Sequence, residues 1–77
     1  MEASLRMTDE TLAITVNGEH RRIPAPASVA DLLANLGMTA EKVAVERNLE
    51  IVPRSTFADV AVESGDAFEI VTFVGGG

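Results

Sequence analysis

Leu12, Ile14 and Val16 alternate with Ala13 and Thr15, the period-two pattern of a half-buried strand. Asn17-Gly18 follows. Both residues accept positive φ, so the pair predicts a two-residue hairpin turn. His20-Arg21-Arg22-Ile23 is then the return strand, ended by Pro24 and Pro26 because proline donates no ladder hydrogen bond. The period next changes. Val29, Leu32, Leu33 and Leu36 fall at i, i+3, i+4 and i+7, one apolar stripe of a helix. Ser28 is placed to cap it, with Asp31 three residues on as the returning half of a capping box, and Gly37 is placed to stop it. Thr39–Lys42 is a connector. Val43–Arg47 reads as a strand broken by Asn48, and Glu50-Ile51-Val52 either continues it or pairs back. Pro53-Arg54 ends that stretch, Ser55–Asp59 resembles a tight turn or a 3₁₀ piece, Val60–Val62 is ambiguous, and Ser64-Gly65-Asp66 is a turn. Residues 67–74 form the last strand.

The order is hairpin, helix, strand, short strand, turn, strand. One helix covers only one face of a sheet, so the economical packing is an α+β roll. The expected architecture is the β-grasp, or ubiquitin-like, roll: a mixed sheet of four to five strands around one main helix. The first and last strands run parallel at its centre, joined by a right-handed crossover. The expected organisation is a flexible N-terminal extension over residues 1–11, a domain over 12–74 and a flexible glycine tail over 75–77.

Alternation along the last strand sets Phe68, Ile70, Thr72 and Val74 on one face and Ala67, Glu69, Val71 and Phe73 on the other. A carboxylate is seldom buried without a partner, so the Glu69 face is the wet one and Phe68 and Ile70 belong to the core. Val71 and Phe73 are then either a docking patch beside the tail or residues covered by a neighbouring loop. Gly75-Gly76-Gly77 follows and the sequence stops. Such an end is either a frayed terminus or a device that presents the Gly77 carboxylate, which is ionised at neutral pH.

Composition narrows the chemistry. The 77 residues suffice for one small domain, and there is no cysteine and one histidine, His20. Disulfides, thiol nucleophiles and thiolate metal sites are excluded, and His20 alone holds no metal. Phosphate-cradle motifs of the Walker and dinucleotide-binding types are absent. Glu41, Glu46, Glu50 and Glu63 are scattered, without an acid/base dyad, so no enzyme active site and no cofactor are expected. The net charge of −6 disfavours nucleic acid and anionic membrane and suits a partner with a basic face. No apolar run reaches the ~20 residues of a membrane helix, and residues 1–7 lack a signal-peptide core, which points to the cytoplasm.

A carboxylate is a poor acyl donor, but a partner enzyme holding ATP and Mg²⁺ can convert it to an acyl-adenylate, expelling pyrophosphate, and a sulfur nucleophile can then displace AMP. Glycine suits such a tail because a chain without Cβ threads a narrow channel and takes backbone angles closed to other residues.

The chain resembles the ThiS family, the small sulfur carriers of thiazole formation in thiamine biosynthesis. The resemblance rests on Ile14–Glu19, Ser28–Leu33, Val43–Asn48, Ile51–Ser55, Ser64–Asp66 and Phe68–Gly77, which together lie within residues 12–77. Leu49 departs from it, since the family often carries Gly or Glu there. The resemblance implies adenylation of Gly77 by a ThiF-type activating enzyme with ATP. It further implies conversion to a thiocarboxylate with sulfur from a cysteine desulfurase or another donor, and delivery to a thiazole synthase of the ThiG type. Gly76 and Gly77 carry over from the family motif, and Gly75 extends the tail. The carrier is a co-substrate, not a catalyst. Sulfur carriers of other pathways (molybdopterin, tRNA thiolation, cysteine synthesis) also end in Gly-Gly. A ubiquitin-like protein modifier uses the same acyl-adenylate, and a non-covalent interaction domain with an incidental tail is a further alternative.

Overall fold

The structure, a computed structural model, describes residues 10–73. The elements run β1 (Thr11–Val16), β2 (Glu19–Pro24), α1 (Val29–Leu36), a 3₁₀ turn (Ala40–Lys42), β3 (Val43–Arg47), β4 (Glu50–Val52), a second 3₁₀ turn (Arg54–Thr56) and β5 (Ala67–Thr72). The five strands form one mixed sheet in the order β2-β1-β5-β3-β4. β1 and β5 are parallel, with Thr15 opposite Ala67 and Val16 opposite Phe68, and the other neighbours are antiparallel. The expected roll around one helix is therefore the observed fold, and β5 is its central strand.

Local sequence explains the elements. Asn17 (φ 52°) and Gly18 (φ 85°) both take left-handed backbone, as a two-residue hairpin turn between twisted strands requires. β4 pairs back on β3 across Asn48 (φ 52°) and Leu49 (φ 73°), which resolves the alternative left open for residues 50–52. Helix α1 carries the anticipated reciprocal cap. The Ser28 Oγ accepts from the Asp31 N–H at 3.1 Å, and an Asp31 carboxylate oxygen accepts from the Ser28 N–H at 2.9 Å. Gly37 ends the helix at φ 75°. The ambiguous Val60–Val62 stretch lies beside the helix cap, where Ala61 bridges Ser28 and the Val62 N–H bonds the Ala27 carbonyl.

The core lies between α1 and the inner face of the sheet. Ile14, Val16, Ile23, Val43, Val45, Val52, Phe68 and Ile70 meet Val29, Leu32 and Leu33, with Phe57 and Val62 closing the end. Two details differ from the strand readings. β2 extends through Pro24, which stands opposite Thr11 at the outer edge where no donor is needed. β5 ends at Thr72, and Thr72 is exposed although it shares the parity of Phe68 and Ile70 and stands opposite the buried Val43.

Candidate functional site

β5 is the element that leads to the glycine tail, and it is held on both flanks. Where β1 ends, the Asn17 side chain takes over its pairing: Oδ1 accepts from the Ile70 N–H at 2.8 Å and Nδ2 donates to the Ile70 carbonyl at 3.1 Å. The Asn17 backbone N–H donates to the Phe68 carbonyl. On the other flank the Asn48 Oδ1 accepts from the Ala67 N–H at 2.9 Å, and the Asn48 N–H donates to the Ala67 carbonyl at 2.7 Å. Each hairpin thus starts its turn with an asparagine whose backbone turns the chain and whose side chain grips β5.

Asp66, just before β5, is 6% exposed. Its carboxylate accepts from the Arg47 Nε at 2.8 Å, the Asn48 Nδ2 at 3.1 Å and the Glu63 N–H at 2.8 Å. Burial alone would raise its pKa. The bonds from Arg47, Glu63 and Asn48, with the Arg47 charge, outweigh that and hold it below the ordinary carboxylate value. In return the hydrogen bond to Asp66 lifts Arg47 above its ordinary value. The sequence shows Asp66 only as part of a turn, because its side-chain partners, Arg47 and Asn48, come from β3 and the β3–β4 turn.

Val71 projects from the outer face as alternation requires and is 60% exposed, and Phe73, just beyond the strand, is 57% exposed. Among the described residues no loop covers them. Val71 stands opposite Ala44, and the two join Val45, Glu46, Ile51 and Glu69 around a shallow groove of about 250 Å³. Phe73 is not in the groove. It lies past the end of β5, where its N–H donates to the Lys42 carbonyl at 2.8 Å. Two further exposed apolar residues, Ile51 (75%) and Leu49 (87%), belong to the same half of the sheet and were not singled out from sequence. Because Val52 faces the core, alternation already sends Ile51 outward. Gly75, Gly76 and Gly77 lie outside the described residues, as does Val74.

His20 is exposed on β2. Among the described residues no three metal-ligating side chains come together, and no helix is long and apolar enough to cross a membrane.

Comparison with known proteins places this geometry. The model of the ThiS family matches residues 12–77. The chain is similar to a thiazole synthase of Paramagnetospirillum magneticum, 54% identical over 66 residues. Those residues are 86% of this chain but 20% of that protein, so the chain spans about a fifth of its length. It is 42% identical over 50 residues to the sulfur carrier protein ThiS of Bacillus subtilis, covering 65% of this chain and 76% of that one. Among solved structures it is similar to the crystal structure of the thiamine biosynthesis protein ThiS of Geobacter metallireducens. That match has a TM-score of 0.72 and 38% identity over 86% of this chain and all of that one.

Proposed function

We propose, for a chain that belongs to the ThiS family, that it is a sulfur carrier of thiazole formation in thiamine biosynthesis and works through the carboxylate of Gly77. The observation that carries the proposal is the reach of the family match, which runs through Gly75-Gly76-Gly77 to residue 77. The Bacillus subtilis and Geobacter metallireducens relatives support it by their names.

The chemistry proceeds in two displacements. A Gly77 carboxylate oxygen attacks the α-phosphorus of ATP on a ThiF-type activating enzyme, and pyrophosphate leaves. A hydrosulfide equivalent from a cysteine desulfurase or another donor then attacks the carbonyl carbon, and AMP leaves with the electron pair of the broken C–O bond. Where the sulfur arrives as a persulfide, a thiol cleaves the S–S bond and is itself oxidised. The resulting thiocarboxylate hands its sulfur to a thiazole synthase, a partner supported by the thiazole synthase that contains a similar stretch. The domain supplies no reacting group. It presents the end of the chain, and glycine at positions 75–77 keeps that end narrow enough to enter an enzyme channel. Val71 and Phe73 are the proposed docking residues for the activating enzyme, since they flank the exit toward the tail.

Intact-mass measurement tests the proposal in a chain confirmed by the same spectrum to end at Gly77. With ATP, Mg²⁺, the activating enzyme and a sulfur donor, the carrier should gain the mass difference between sulfur and oxygen. No gain with competent partners refutes the carrier reading, and adducts to other proteins point to a modifier. Deleting Gly77 should lower the rate of thiocarboxylate formation by more than about tenfold, roughly 1.4 kcal/mol in barrier. Phe73→Asp should weaken association with the activating enzyme while the far-ultraviolet circular dichroism stays unchanged. Equal affinity removes Phe73 from the docking surface.

A further inference from the structure

The outer face of β3, β4 and β5 is apolar except at its middle. There Glu46 and Glu69 are direct partners across the antiparallel ladder, with Cβ atoms about 5 Å apart in such a pair. Like charges in this position destabilise a sheet. Ile51 faces Glu46 from the other side, and Ala44 with Val71 forms the next outward-facing pair toward the chain exit. The two carboxylates are therefore part of the wall of the apolar groove.

Nothing described nearby offsets them. Among the described residues the ion pairs involve Glu19, Glu63 and Asp66, not Glu46 or Glu69. The arginine of the same face, Arg22, sits on β2, two strands from β5 and three from β3. At the usual strand spacing that is about 10 and 15 Å, beyond the ~8 Å screening length of physiological salt. Lys42, the last residue of the 3₁₀ turn before β3, is four residues from Glu46, about 13 Å at the rise of a strand. The fold thus retains two facing negative charges at the centre of a surface that is otherwise suited to burial.

We propose that Glu46 and Glu69 are the specificity element of the docking face. The adenylating enzyme inserts an arginine or lysine, flanked by apolar side chains, between the two carboxylates as it covers Ile51, Ala44 and Val71. The inference rests on the docking reading above and adds what that surface selects for. An enzyme that brings a carboxylate to ATP joins two anions and has to supply cations for the purpose, so its face complements a chain of net charge −6. A second copy of this chain does not, because an isologous interface centred here opposes the same carboxylates to each other. Charge pairs of this kind set partner choice and register.

The test sets stability against affinity. Glu46→Gln/Glu69→Gln relieves the repulsion, so its Tm should equal or exceed that of the parent chain. Its Kd for the ThiF-type enzyme of the same organism should nevertheless rise about tenfold, with a flatter salt dependence. In ATP–pyrophosphate exchange the KM for the carrier should rise by the same factor with kcat unchanged, and Glu69→Gln alone should fall between. A Kd within twofold of the parent overturns the inference, as does a fall in Tm that accounts for the loss. Self-association of the parent chain through this face, tightened in the double variant, assigns the face to a second copy and also overturns it. If the parent chain binds and the double variant weakens binding but no adenylate forms, the docking inference stands and the carrier function fails. Absence of any complex with the parent chain refutes both.

Discussion

Asp66 concentrates the cost of a mistake in this domain. Its carboxylate joins Arg47, Asn48 and the backbone ahead of β5, so Asp66→Asn puts an amide N–H among donors that already need an acceptor. The expected loss is about 1–3 kcal/mol at pH 7, read by urea unfolding. The pH dependence has a definite sign. The folded pKa lies below the ordinary value of 3.8, so the unfolded chain binds the proton more readily. The stabilisation is complete well above pH 3.8, begins to fade as pH falls through the unfolded value, and is gone below the folded one. The difference between parent and variant should therefore narrow as pH drops below about 4; a difference that stays constant down to pH 2.5 assigns the loss to shape alone. None of this was legible in the sequence, where Asp66 is one polar residue of a Ser-Gly-Asp turn. Asn17 was legible as a turn former and not as a side chain that pairs with Ile70. The turn is local chemistry, whereas the grip joins residues 53 apart.

Elements whose signals lie within a few residues were readable. The capping box of α1 needs only Ser28 and Asp31, and its stop only Gly37. The β3–β4 hairpin was less so, because its second turn residue is Leu49 where glycine would announce the turn. Leu49 holds φ 73°, a conformation that costs a residue with Cβ roughly 1–2 kcal/mol, and its side chain gains nothing back by burial. Leu49→Gly should accordingly raise the urea midpoint, by about 1 kcal/mol in stability. A lower midpoint means that the leucine makes a contact in solution that outweighs the strain.

At the scale of the whole molecule, stability is limited by size. A domain of this length is expected to hold about 4–12 kcal/mol in total. Phe68, 1% exposed at the centre of β5, packs in the middle of that reserve. Phe68→Ala should remove about 3–5 kcal/mol and lower Tm by at least about 12 °C; a smaller drop means that the core closes over the gap. The roll itself was legible because a single amphipathic helix and a terminal strand of mixed parity leave few ways to close a sheet. The groove was not, since it forms only when β4 folds back beside β3 and brings Ile51 toward Val71. The central position of β5 has a mechanical consequence. Its ladder bonds run across the strand on both sides, to β1 and to β3, and the Asn17 amide adds two more. A pull on the chain beyond Phe73 acts along the strand, so it loads these bonds together in shear and does not peel them one by one. An enzyme can therefore draw the tail taut through a narrow passage, and the tension stops at the sheet.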